Sequence, residues 1–188
     1  MIKNSYDFCI GSNQPKLRKK LTNILIEGGF HASGEGKDTP EFLRALRTIQ
    51  PWLAVIDTSL PPGNIEQLAE IIENDTLAAA IYINTSGVDL DLYVQLNWPV
   101  DAPVLTAVAE TVCSEFVHKK KLRKEIEELE NKLYERKLIE KAKGVLAKIY
   151  KLNEDEAYKL LRKSSMEQRI SMTEISAKVI KNPDSLSS

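Results

Sequence analysis

Long apolar runs, cysteine and glycine are scarce in this 188-residue chain, and their scarcity excludes several classes of protein. No stretch of about 18 apolar residues occurs and the N-terminus lacks an apolar core, so we expect neither a membrane span nor a secretory signal. The two cysteines, Cys9 and Cys113, lie among apolar residues and match no metal-ligand or redox spacing. They predict buried free thiols in a reducing compartment, the cytoplasm.

Patterns typical of catalysis and cofactor binding are also missing. His31 and His118 have no cysteine, serine or carboxylate at a matching spacing, so each is expected at the surface. The sequence contains no glycine-rich phosphate loop and no metal-ligand cluster. We therefore expect no enzymatic activity, no metal and no cofactor.

Charge is unevenly distributed along the chain. Residues 1–115 contain 8 Lys and Arg against 15 Asp and Glu, whereas residues 131–181 contain 13 against 7. An acidic first part and a basic second part predict two modules, of which the second suits a polyanionic partner. A lysine-rich, solvated helical surface is the alternative, and charge alone does not decide between them.

Apolar runs alternate with helical patterns in the first half of the chain. Strands are predicted over residues 8–11, 30–33, 52–56, 78–83 and 92–96, with helices between the first four. Strands of this kind, each one an apolar run, indicate an open parallel sheet covered on both faces. Ligands and reactive groups lie at the carboxyl ends of such strands, and Asp57 follows the third strand.

The run Ala54-Val55-Ile56-Asp57, followed by Leu60-Pro61 and Gly63, resembles the phosphoacceptor strand and loop of response-regulator receiver domains. The resemblance covers about residues 5–115 and implies a doubly wound, five-stranded parallel sheet. It also implies that Asp57 accepts a phosphoryl group from a sensor kinase, with Thr85 at the matching hydroxyl position.

The remaining receiver positions depart from that pattern. Ser12 and Asn13 replace the acidic pair that holds Mg²⁺, and Trp98 replaces the lysine after the fifth strand. Because Mg²⁺ prefers carboxylate oxygens, Asp57 alone would bind it weakly. Residues 87–95 leave little room for the helix that usually precedes the fifth strand. These departures favour a pseudo-receiver controlled by a protein partner or by dimerisation, with a phosphorylatable receiver as the alternative.

A long helix is predicted over residues 113–150. Its apolar residues follow a heptad spacing between charged residues, which indicates a parallel homodimeric coiled coil formed by Leu122, Ile126, Leu129 and Leu133. With so few heptads, a single amphipathic helix packed on its own domain is the other interpretation. A dimer would place two copies of the following module side by side.

Two helix N-termini are predicted after this rod, because Asn153 precedes Glu156 by three residues and Ser171 precedes Glu174 likewise. The segments 142–146, 161–166 and 175–180, with their Ala-Lys-Gly and Leu-Arg-x-x-Ser-Met runs, resemble the ANTAR output domain over about residues 133–180. That resemblance implies a small three-helix bundle and an RNA-binding antiterminator. It further implies that the antiterminator acts as a dimer that captures paired hairpins of a nascent leader transcript.

Exposed cations of this bundle are the candidate RNA-binding residues, since they would neutralise phosphates. They are Arg136, Lys137, Lys141 and Lys143 on the long helix, Arg162 and Lys163 on the next, and Arg169 in the following turn. Tyr134, Tyr150 and Tyr158 are candidates for base stacking, although core or rim positions are the commoner ones for tyrosine. Gly144 indicates close approach by RNA or, preferentially, by another helix.

The expected domains are a receiver-like domain over residues 1–112, a coiled-coil linker over 113–133, an ANTAR bundle over 134–181 and a disordered tail over 182–188. The preferred function is a cytoplasmic, dimeric RNA-binding antiterminator without membrane contact. A signalling scaffold whose coiled coil and bundle bind another protein is the competing function. Duplex DNA binding is a third, for which no basic recognition helix is evident.

Overall fold

The computed structural model describes residues 6–62, 64–91 and 93–182. The chain divides into two compact units, residues 1–121 and 122–188. Gly63, Leu92 and the predicted tail from residue 183 onward lie outside the described residues. The elements, in chain order, are β1 (Asp7–Gly11), α1 (Pro15–Glu27), β2 (His31–Gly36), α2 (Thr39–Ile49), β3 (Leu53–Asp57), α3 (Ile65–Asn74), β4 (Ala79–Asn84), β5 (Gln95–Asn97), α4 (Ala102–Tyr150), α5 (Glu154–Gln168) and α6 (Met172–Lys181).

A five-stranded parallel sheet with the order β2-β1-β3-β4-β5 forms the centre of the first unit. Apolar residues of α1 and of the first part of α4 cover one face, and those of α2 and α3 cover the other. Both faces of β1, β3 and β4 are therefore buried, which is why these strands are largely apolar without alternation. The edge strand β2 is more exposed and contains mostly polar residues and glycine, so it is not an apolar run. The predicted doubly wound parallel sheet is confirmed.

The connection between β4 and β5 is short and irregular. None of its described residues is helical, in agreement with the limited room in the sequence. The strand predicted over residues 92–96 was wrong in place and length, because β5 comprises only Gln95–Asn97. The Gln95 side chain accepts a hydrogen bond from Leu90 N at 2.8 Å and donates one to Val88 O at 2.6 Å. These bonds hold the preceding segment in a turn instead of a longer strand.

Helix α4 begins at Ala102, so the predicted start at residue 113 was wrong. Leu105, Ala109 and Phe116 bury their side chains against the sheet, and Pro103 lies in the first turn, where proline is tolerated. Cys113 is also buried in this core, and burial raises the pKa of its thiol to about 12. No helix in the described part of the chain, α4 included, is apolar enough over a sufficient length to cross a membrane.

The second unit packs the last part of α4 with α5 and α6. Both predicted helix starts are confirmed as capping boxes, since Asn153 and Glu156 exchange side-chain-to-backbone hydrogen bonds and Ser171 and Glu174 do the same. These bonds satisfy N–H groups that otherwise lack partners at a helix start. The fully buried core consists of Ala142, Leu146, Ala157, Leu161, Ile175 and Val179.

Candidate functional site

Asp57 is the last residue of β3 and lies at the carboxyl edge of the sheet, where its side chain is fully buried. The loops after β1 and β4 end at the same edge because the strands are parallel. They place Ser12 and Thr85 beside its carboxylate. The predicted juxtaposition of Asp57 with Thr85 and with the degenerate Ser12 position is therefore present.

Hydrogen bonds to Asp57 come from neutral groups on three loops. Ser12 Oγ donates to Oδ2 at 2.7 Å, and Gln14 Nε2 donates to the same oxygen at 3.4 Å. Ser59 donates to Oδ1 through its backbone N–H at 3.0 Å and through Oγ at 2.8 Å. Thr85 Oγ1 also donates to Oδ1. We call Ser12, Gln14, Ser59 and Thr85 the hydroxyl-amide cage.

This cage does not fit the magnesium centre that a receiver implies. Mg²⁺ demands near-octahedral oxygen ligands, chiefly carboxylates and waters, whereas Asp57 is surrounded by donors that already use both of its oxygens. Asn13, at the second degenerate position, is exposed. Among the described residues, no group of three histidine, cysteine or acidic side chains has a metal-binding arrangement.

Trp98 follows β5 at the position where a receiver has its lysine. Its backbone N–H donates to Asn84 O at 3.1 Å, and its ring packs against the apolar core between the sheet and α1. Lys20 Nζ lies 5.1 Å from the ring centroid, within range of a cation–π interaction. Trp98 therefore contributes to packing at this position, and it supplies no cation for a phosphoryl group.

Sequence reasoning missed two members of the cage, Gln14 and Ser59. Ser59 had a local signal, because aspartate side chains commonly accept a hydrogen bond from the backbone N–H two residues later. Gln14 had none, since it approaches Asp57 only after β1 and β3 pair. The expected surface positions of His31 and His118 are confirmed.

The predicted coiled-coil residues are exposed apolar side chains in a single chain. Leu122, Ile126, Leu129 and Leu133 expose 58%, 54%, 63% and 53% of their surface. They follow one another at intervals of four, three and four residues along α4. We call these four residues the apolar seam.

The candidate RNA-binding cations are mostly exposed, and two of them, Lys143 and Lys163, form ion pairs. Lys163 forms an ion pair with Glu167 on its own helix at 3.7 Å. Lys143 lies close to two carboxylates, those of Glu140 and Glu154. The cations that are exposed and form no ion pair with another described residue are Arg136, Lys137, Lys141, Arg162 and Arg169.

Lys143 connects α4 with the start of α5. Its Nζ lies 3.1 and 3.0 Å from the two carboxylate oxygens of Glu140 and 3.7 Å from Glu154, and only 13% of its side chain is exposed. The hydrogen bond to Glu140 is the main reason that the pKa of Lys143 is raised. The geometry therefore assigns this lysine a structural contact within the bundle.

One face of α4 in the second unit is basic. Lys137, Lys141 and Lys148 are exposed, whereas Ala142 and Leu146 are fully buried in the bundle core. At about 100° per residue, the three lysines project from the side of α4 opposite that core. We call Lys137, Lys141 and Lys148 the lysine face.

The tyrosines and Gly144 of the second unit lie at its surface. Tyr134, Tyr158 and Tyr150 expose 62%, 43% and 37% of their surface, so the core position is excluded for them, while a rim position and base stacking stay open. Gly144 was expected to accommodate a neighbouring helix, but a Cβ built there meets no described atom within 4 Å. The bundle leaves these side chains and this glycine on its surface.

Comparison with known proteins agrees with this organisation. The ANTAR domain model matches residues 127–180. Transcriptional regulatory protein PdtaR of Mycobacterium tuberculosis, in strains CDC 1551 and H37Rv, is 24% identical over 179 residues, covering 91% of this chain and 87% of that protein.

Solved receiver domains resemble the first unit. The receiver of the putative response regulator NarL from Mycobacterium tuberculosis has a TM-score of 0.52 at 15% identity, with 58% of this chain and 97% of that chain covered. The receiver of a putative Luxo repressor from Vibrio parahaemolyticus has a TM-score of 0.54 at 14% identity, with 63% and 97% covered. The chain therefore combines a receiver-fold unit with a C-terminal region, residues 127–180, that matches the ANTAR domain.

Proposed function

We propose that this protein is a response regulator and a cytoplasmic RNA-binding antiterminator that acts as a homodimer on paired hairpins of a nascent leader transcript. The observation that carries the proposal is the basic, exposed surface of a unit that matches the ANTAR domain. Cations on such a surface displace the counterions condensed on a nucleic acid, which favours binding at low salt. Unpaired loop bases provide the sequence information, and the exposed Tyr134 and Tyr158 are available to stack on them.

Dimerisation is proposed through the apolar seam. Four large apolar side chains in a heptad spacing, each more than half exposed, bury little surface within a single chain. A parallel pair of α4 helices would cover them as the knobs and holes of a coiled coil. The pairing would hold two ANTAR bundles together and raise the effective concentration of the second at a two-hairpin target.

The receiver-fold unit is proposed to act without phosphorylation. The hydroxyl-amide cage saturates the Asp57 carboxylate, and no second acid is adjacent at Ser12 or Asn13 to hold Mg²⁺. Regulation would then enter through a protein partner or through the dimer equilibrium. Incubation with Mg²⁺ and acetyl phosphate, followed by intact-protein mass spectrometry, should give no adduct. A stoichiometric, alkali-labile adduct at Asp57 would instead establish a phosphorylatable receiver and a sensor-kinase partner.

A gel-shift titration tests the RNA proposal. A tandem-hairpin RNA, a single-hairpin RNA and a scrambled RNA of equal length are titrated with the full chain at 50 and 200 mM salt. We expect preference for the tandem RNA and affinity that falls steeply with salt. Equal, weak binding to all three would support the signalling scaffold instead, in which the basic bundle binds another protein.

A further inference from the structure

Gly144 lies in the interior of α4, and the fold of the described chain does not require a glycine there. A Cβ at this position would contact no described atom within 4 Å. Its φ is not positive, so an L side chain fits the backbone. Alanine is the better helix former, because glycine loses more backbone entropy when a helix forms. The glycine therefore weakens the helix without any packing benefit inside this unit.

The lysine face surrounds this open position. Gly144 follows Lys137 by seven residues and Lys141 by three, and it precedes Lys148 by four. At these spacings all four positions share one side of α4. The three ammonium groups form no ion pair with other described residues and are exposed. The result is a strip of the α4 surface with an open position at Gly144 and three unpaired lysines around it. Glu140, four residues before Gly144, lies on the same side, but its carboxylate pairs with Lys143.

Charge distinguishes between the two possible occupants of this strip. A second copy of α4 would need apolar residues where the seam continues beyond Leu133, but the next two positions, three and then four residues further on, are Arg136 and Glu140. Two such helices would bring equal charges together, which disfavours a coiled coil there. An RNA strand would be favoured at the same place. Its phosphates are attracted to the lysines, and its sugar-phosphate backbone needs the free space between them.

We propose that Gly144 is the point at which the RNA sugar-phosphate backbone packs directly against α4, with the lysine face neutralising the phosphates on either side. This inference rests on the proposed RNA-binding function and adds a shape requirement to it. A side chain at residue 144 would hold the phosphates away from the lysines, so the size of that side chain would control affinity.

The test compares Gly144→Ala and Gly144→Gln with the wild-type chain in the same tandem-hairpin titration, together with thermal unfolding and sedimentation. We expect affinity to fall about tenfold for Gly144→Ala and further for Gly144→Gln. The melting temperature of Gly144→Ala should rise or stay unchanged, and both variants should sediment as the wild type. A purely structural role of Gly144 would not combine a gain in stability with a loss of binding.

Lysine variants provide matched controls. Lys148→Ala should weaken binding and lower the slope of log K against log salt by about one phosphate contact. Lys159→Ala, which removes an exposed lysine of a different helix, α5, should change the slope little. If Lys148→Ala and Lys159→Ala behave alike, the lysine face is not the phosphate site and the inference fails.

The outcomes separate this inference from the function on which it rests. Wild-type protein that does not prefer tandem-hairpin RNA ends both proposals. Wild-type protein that does, with unchanged affinity in both Gly144 variants, leaves the function standing and refutes the inference. Loss of the dimer in Gly144→Ala would show that a second copy, and not RNA, occupies the strip, which also refutes it.

Discussion

Ser12 Oγ donates a 2.7 Å hydrogen bond to Oδ2 of Asp57, at the receiver position where an acidic side chain would repel that carboxylate. Both residues are fully buried, so water does not replace the bond if it is lost. Hydrogen bonds to charged groups contribute about 1.5–3 kcal/mol. Ser12→Ala should therefore lower the free energy of unfolding by about that amount, measured by urea denaturation.

Ser114→Ala is the control for this measurement, because Ser114 is exposed on α4 and its substitution should change stability by less than about 0.5 kcal/mol. If both variants unfold at the same urea concentration, the hydroxyl-amide cage does not stabilise the buried carboxylate.

Lys143 and Lys141 are close in sequence and should have different effects when truncated. Lys143→Ala removes contacts to Glu140 and Glu154 and should lower the melting temperature of the chain. Lys141→Ala removes an exposed cation and should leave that temperature unchanged while weakening RNA binding. Thermal unfolding and gel shift on the two variants check the difference. A Lys143→Ala protein of wild-type stability would show that the ion pairs are dispensable.

Leu129 is the most exposed member of the apolar seam, so its substitution should disturb the proposed dimer without disturbing a monomer core. Leu129→Lys would place two ammonium groups at the centre of the paired helices, where they repel and lose hydration. Sedimentation velocity should show a monomer at concentrations at which the wild type is dimeric. Glu128→Lys, at the neighbouring exposed position, should remain dimeric. A dimeric Leu129→Lys protein would place the interface elsewhere.

Glu174 gives the second unit a dependence on pH. The Ser171 backbone N–H and, next, its hydroxyl lower the pKa of Glu174 below its ordinary value of 4.5. A lowered folded-state pKa means that the carboxylate stabilises the fold above about pH 4.5 and that this contribution disappears as the pH falls through the folded value. Glu174→Gln keeps an acceptor for the capping box but cannot titrate.

Circular dichroism of urea unfolding at pH 7 and at successively lower pH checks this prediction. Stability of the wild type should fall more steeply below pH 4.5 than that of Glu174→Gln. Parallel curves for the two proteins would mean that the capping carboxylate makes no pH-dependent contribution.

The helix starts and the strand before Asp57 could be predicted from the sequence because each depends only on residues that are close together in the chain. The capping boxes at Asn153 and Ser171 required only residues three apart, and the strand ending in Asp57 required only an apolar run. The surroundings of Asp57 were less accessible, since Gln14 reaches it from a loop that only the sheet brings close. The short β5 was mispredicted because the Gln95 side chain bonds to the preceding turn, a preference that apolar spacing does not encode.

The dense packing of donors around Asp57 has a consequence for how such a protein is controlled in the cell. If Asp57 is not phosphorylated, as we propose from the hydrogen bonds that occupy both of its oxygens, this unit would store no covalent record of a past stimulus. Under the proposed dimer model, the number of chains present sets the fraction paired, by mass action. Synthesis, degradation and sequestration of the protein would then set the response, and its speed would follow the lifetime of the polypeptide.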